Sequence, residues 1–183
     1  MSFAHVERGN NSREDVIFEN RHEGSDDMNT GSLPRLNDAL YALMSGTDLG
    51  EKTHIAMTLH TVDEEGYPHQ AMVSAGEVWA EERSRLRIAL WIGTGTTANL
   101  RRSGRALLAV VYEGLSYTVR LRAEALPELA NARHPRARFT ADVLDVRADA
   151  AKYADLTSGI TIKLHDPQAV VERWEETLEE LKQ

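Results

Sequence analysis

The chain has 183 residues, 42% of them hydrophobic, which suffices for one sizeable core and makes one domain with appendages the expected plan. Cysteine is absent, so disulfides and thiolate metal sites are excluded, and a formal charge of -8 argues against a nucleic-acid partner. No apolar run reaches membrane-spanning length and the N-terminus lacks the apolar stretch of a secretory signal, so no membrane partner is expected and a cytoplasmic protein is the default.

Residues 1–31 read as a polar, acidic leader with one apolar island, Val16, Ile17 and Phe18; such a segment either stays solvated or docks on the body or on a partner subunit. The remainder, 32–183, is read as a single domain. His5 and His22 have no companion at metal-ligand spacing and read as surface residues. Pro34 suits the first position of a helix whose Leu36, Leu40, Leu43 and Met44 share one face, with Gly46 as its stop. From His54 the period changes to two: Ile55, Met57 and Leu59 alternate with Ala56, Thr58 and His60. An acidic turn ending in Gly66-Tyr67-Pro68 then reverses the chain into a strand over about 69–80.

The stretch Arg85–Tyr112 is the centre of the pattern. Leu86, Ile88, Leu90 and Ile92 alternate with Arg87, Ala89 and Trp91, and the strand empties into Thr94-Gly95-Thr96-Thr97 before a short helix. Unpaired amides and the helix dipole at such an N-terminus favour an anion such as phosphate, although threonines cap helices without any ligand. Leu107 to Val111 reads as a strand covered on both faces, Glu113-Gly114 as a turn, and Tyr117, Val119, Leu121 and Ala123 as one face of the next strand. Successive strands with short connections predict an antiparallel barrel.

Ala125 to Arg138 reads as a loop. Over 139–146, Phe139, Val143 and Val146 fit a helical face while Ala141, Val143 and Asp145 alternate as in a strand; the strand reading is preferred. Ser158–Leu164 reads as a strand. Asp166 as N-cap, Pro167 at the first position and the stripe Val170, Val171, Trp174, Leu178 and Leu181 predict a C-terminal amphipathic helix, its many glutamates forming a solvated face.

The order of helix, barrel strands, G-Y-P turn and LWIGTGTTANLRRSGRALLAVVYEGLSYTVRLRAEA resembles the pyridoxamine 5'-phosphate oxidase-like, FMN-binding split-barrel family, across residues 34–126. The resemblance implies a mainly β split barrel of six to seven antiparallel strands with flanking helices, and a homodimer with FMN at its interface. It further implies flavin-dependent oxidoreductase chemistry on a small-molecule substrate. By position, the cofactor-binding residues it implies are Val73 and Ser74 along the flavin ring, Leu90 and Trp91 beside it, Thr94, Gly95, Thr96, Thr97 and Asn99 in the flavin turn, and Ser116 on the later hairpin.

Departures accompany the resemblance. Ala71 stands where the oxidase has a phosphate-binding arginine, Gly95 and Thr96 stand where its turn has basic residues, and Ser116 replaces a flavin-contacting glutamine. Each charge-assisted hydrogen bond is worth roughly 1.5 to 3 kcal/mol, so losing two or three weakens FMN binding by decades. Arg101, Arg102 and Arg105 are the downstream cations that either compensate or simply decorate a surface helix and open a strand. Lys163-Leu164-His165-Asp166 resembles the oxidase's Arg-x-His motif, but lysine replaces arginine and Pro167 begins a helix, so that activity is not assigned. No catalytic residue is named, because flavin hydride transfer does not require a protein acid or base. Two alternatives stay open: a haem- or deazaflavin-binding relative, with His54, His60 or His69 as axial ligands, and a cofactor-free dimer acting as a binding module.

Overall fold

The computed structural model describes residues 18–21 and 34–183. Among the described residues, nine strands, three α-helices and one 3-10 helix follow one another: β1 (Phe18–Arg21), α1 (Asp38–Leu43), a 3-10 helix (Leu49–Lys52), β2 (Ile55–Val62), β3 (Pro68–Val73), β4 (Val78–Glu82), β5 (Arg85–Leu90), α2 (Gly95–Ser103), β6 (Arg105–Tyr112), β7 (Leu115–Ala125), β8 (Ala137–Ala151), β9 (Ile160–Thr161) and α3 (Pro167–Leu181). The main path of the sheet runs β3-β2-β6-β7-β8-β5-β4, every neighbouring pair antiparallel, with β1 added to β8 and β9 to β2. β3 and β4 are thus the two ends of the path, yet only Ser74–Glu77 separates them in the chain. A sheet whose two edges are joined by so short a link must curl on itself, and because β3 and β4 do not pair, the curl stays open along that line. This is the split barrel expected from the sequence. Leu40, Met57, Leu59, Ile88, Leu108, Val119, Leu121 and Phe139 fill its interior.

The strand expected over 69–80 is therefore two strands. The break has a local cause: the Glu77 carboxylate accepts from Ser74 N (2.9 Å) and Ser74 Oγ (2.8 Å), closing a tight turn. A second cause lies in α3, since a Cβ on Gly76 would lie 1.9 Å from Trp174 Cγ. Trp174 belongs to a second apolar cluster with Leu49, Ala75, Ala89, Leu178 and Leu181, which fastens α3 over the β3–β4 turn and β5. α3 itself is as expected, with Asp166 accepting from Ala169 N at 3.1 Å.

α1 begins later than Pro34. Asn37 caps it, accepting from Leu40 N at 3.0 Å while donating to Tyr117 Oη at 3.2 Å, and Leu36 N is already held by Arg83 O. An Asn cap satisfies an orphan amide, which a proline's preset φ cannot do. The helix also ends early, at a Met44 cap, with Gly46 two residues beyond. The Glu113-Gly114 turn has φ of 49° and 77°, the paired positive values that match hairpin twist.

β8 resolves the ambiguity over 139–146 in favour of strand. Arg120 pairs with Asp145 and Leu121 with Val143, so Leu144 is an extra residue and bulges outward. Phe139, Ala141 and Val143 face the core before the bulge; Val146 and Ala148 face it after. The bulge shifts the alternation by one residue, and this is why the apolar spacing imitates a helix. The strand expected over 158–164 shrinks to Ile160–Thr161, whose partners are Ala56 and Ile55. Most of the 1–31 leader, including Val16 and Ile17, lies outside the described residues; Phe18–Arg21 pairs by backbone with Ala148–Ala151.

Candidate functional site

α2 is nucleated by its own threonines. Thr94, in extended conformation (φ -87°, ψ 156°), is the N-cap and accepts from Thr97 N at 3.3 Å. The Trp91 carbonyl receives both the Thr97 hydroxyl (2.8 Å) and the Thr94 hydroxyl (3.2 Å). These bonds fold Trp91–Thr97 into a compact turn. Trp91 and Ile92 stand out of it, 56% and 51% exposed, and Gly93, Thr94 and Gly95 are exposed with them. Thr96 and Thr97 are buried. At the other end Gly104 closes α2 with φ 63°, and its Cα lies so near β7 that a Cβ would sit 2.8 Å from Ala123 O.

Each polar side chain of the expected flavin turn is thus already engaged. Thr96 Oγ1 meets His69 Nε2 of β3 at 3.1 Å, and Asn99 Nδ2 donates to Thr61 Oγ1 of β2 at 3.0 Å. What the turn leaves for a ligand is backbone: the first N–H groups of a helix have no intrahelical acceptor, and Gly95 exposes them without a side chain in the way. Ser74 spends its hydroxyl on Glu77. Val73 and Leu90 are 3% and 5% exposed and point into the barrel core, so their contribution to a ligand is also through the main chain.

Ser116 is elsewhere. It sits on β7 opposite Val111 and lines a cavity of about 120 Å³ with Ala56, Thr58, Ala109, Gly159 and Ile160. Within one chain the structure brings together Trp91, Thr94, Gly95, Thr96, Thr97 and Asn99 with His69, and leaves Ser116 apart. The three downstream cations are also turned away from the α2 N-terminus. Arg101 and Arg102 belong to the last turn of α2, where Arg101 reaches Glu128 (3.8 Å) and Arg102 donates to Val62 O; Arg105 opens β6. Of the histidines, His60 Nε2 lies 2.9 Å from Thr58 Oγ1, and His54 lines a separate cavity of about 230 Å³ with Tyr112.

The cation beside the turn is one that sequence reasoning passed over. The Arg136 guanidinium lies over the Trp91 ring, 3.3 Å from its centroid. Arg136 and Arg138 flank the core residue Ala137 at the start of β8, so both point to the outer face, and each is only 7% exposed. Burial holds both guanidiniums below their usual value; Glu77 opposes this for Arg136, and Arg87 adds to it for Arg138. The available signal was Arg-x-Arg at a strand start, which places two cations on one face.

For FMN, this site supplies one half of what is needed. Exposed helix amides, a glycine-lined approach and an apolar Trp91–Ile92 rim fit a flavin phosphate and ring edge, while the turn itself holds no cation.

No family model matches the chain. Solved structures that the chain is similar to include HupZ of Group A Streptococcus (17% identical, 70% of this chain and 99% of that one, TM-score 0.48). A putative pyridoxamine 5'-phosphate oxidase of Lactobacillus delbrueckii is 16% identical over 61% of this chain and 93% of its own, with a TM-score of 0.49. An FMN-binding protein of Syntrophomonas wolfei is 15% identical over 60% and 87%, with a TM-score of 0.42. In sequence, the uncharacterized protein YclD of Bacillus subtilis is 48% identical over 147 residues, 80% of this chain and 96% of YclD. The chain therefore belongs to the same family as YclD, on an antiparallel split-barrel fold of the kind that residues 34–126 resemble in sequence.

Proposed function

We propose that this protein binds FMN as a homodimer and serves as a flavin-dependent oxidoreductase for a small molecule, and is not itself a pyridoxamine 5'-phosphate oxidase. The observation that carries the reading is the open N-terminal turn of α2, with Gly95 exposed at the helix amides and Trp91 and Ile92 standing beside it. In this reading the N–H groups at Gly95 and Thr96 hold the phosphate, the His69–Thr96 bond fixes the turn, and the main chain at Val73–Ser74 borders the ring. Trp91 shields the site from water. A second subunit brings Ser116, which one chain leaves apart from the turn. When bound, the flavin supplies the electron and hydride transfer, and the protein supplies position and electrostatics.

The test is an absorption spectrum of the purified protein from the near-ultraviolet to about 600 nm, followed by titration with FMN, since the cofactor's own chemistry gives the signature. The expected result is a flavin spectrum, or a saturable change in FMN fluorescence. Colourless protein that ignores excess FMN overturns the reading, and a Soret band on adding haem, lost in a variant of His54, His60 or His69, replaces it with the haem alternative.

A further inference from the structure

We infer that Arg136 and Arg138 form a binding site for a small oxyanion, the carboxylate or phosphate group of a metabolite, at the mouth of the loop 126–136. The site borders the proposed flavin turn, sharing Ile92 and Trp91 with it, but does not need FMN to be bound. A cavity of about 50 Å³ is lined by both arginines together with Ile92, Glu128, Leu129, Ala132, Pro135 and Glu180. Arg136 immediately precedes β8 and Arg138 is its second residue, so in extended backbone their Cα atoms lie about 7 Å from each other and their side chains share one side.

Among the described residues, neither guanidinium forms a hydrogen bond or ion pair with a carboxylate. Arg138 donates only to two main-chain carbonyls, Glu180 O and Pro127 O, both at 2.8 Å. Arg136 has a single long contact, Nη1 to Pro135 O at 3.5 Å, and the face of Trp91. The Nε atoms of both are buried with no hydrogen-bond partner. The neighbouring carboxylates make their direct contacts with other groups, Glu128 with Arg101, Glu180 with Arg133 N and Glu77 with Ser74. At longer range Glu77 and Glu180 attract Arg136 and Glu180 attracts Arg138, against the like charges of Arg173 on Arg136 and Arg87 on Arg138. A buried guanidinium whose Nε–H lacks an acceptor is costly, and an oxyanion is the group that completes its fork. Each water takes roughly 10–15 Å³ of such a space, so the cavity holds three or four waters or one such anion.

Trp91, stacked on Arg136, is a built-in reporter. The purified protein is titrated with inorganic phosphate and, separately, with acetate, at constant ionic strength in chloride, following calorimetric heat and tryptophan emission. Saturable binding of one or both is expected, with the emission change lost in Trp91→Phe. Arg136→Gln weakens the affinity roughly tenfold or more, as loss of a charged hydrogen bond should, while Arg120→Gln, an exposed arginine paired with Asp145, binds as the wild type does. Phosphate alone assigns a phosphate ligand, acetate alone a carboxylate, and both the shared oxyanion chemistry. No saturable heat from either in the wild type overturns the site even if Arg136→Gln fails to fold, and so does an Arg136→Gln protein that binds undiminished.

Discussion

Asn99 carries its amide from α2 to the Thr61 hydroxyl, and both groups are shut off from water. Truncating it leaves that hydroxyl without its donor in a buried place, so Asn99→Ala is expected to lower stability by about 1 to 3 kcal/mol, read from the urea midpoint. The capping chemistry of Thr94 was legible in the sequence because a cap and the amide it serves are three residues apart. The partners of Thr96 and Asn99 were not, because His69 and Thr61 reach α2 only after the β2–β3 hairpin folds beneath it. The same holds for Arg136: its pairing with Trp91 depends on the β5–β8 register, which local pattern does not encode.

α3 and the β6–β7 hairpin were readable for the opposite reason, each being specified by its own cap, stripe or turn. β8 was harder, since one bulged residue turns a period of two into something that imitates a helix. The break between β3 and β4 was illegible: no proline marks it, the Ser74–Glu77 bonds that close it follow no set motif, and the tryptophan packed on Gly76 lies almost a hundred residues downstream. Gly76 is where that constraint can be measured. A methyl group there meets Trp174 Cγ and Cβ, atoms close to the helix backbone that cannot swing aside. Gly76→Ala is therefore expected to cost at least about 1 to 3 kcal/mol, the range typical of overpacking, measured by chemical denaturation.

On the outside of the barrel, β6 presents Leu107, Ala109 and Val111 half-buried on the face opposite Leu108 and Val110, and Ile160 stands exposed nearby. This is the face on which the proposed second subunit would bring Ser116 to the flavin turn. Light scattering is expected to give twice the 20.4 kDa chain mass. Val111→Glu, which places a charge on that face, is expected to halve the measured mass and abolish FMN binding together; loss of one without the other separates the dimer from the cofactor.

The position of β8 in the sheet also sets an order of events. It lies between β7 and β5, so the β4–β5 hairpin, made early, has no neighbour on its inner side until β8 has left the ribosome. Half of the barrel wall must wait for a strand that arrives after the other half is complete. Sheets assembled through such distant pairings fold on the order of milliseconds to seconds, not microseconds. Through that interval the apolar face of β5, Leu86, Ile88 and Leu90, lacks the neighbour that β8 supplies, the exposed surface that makes a partly folded chain prone to aggregation.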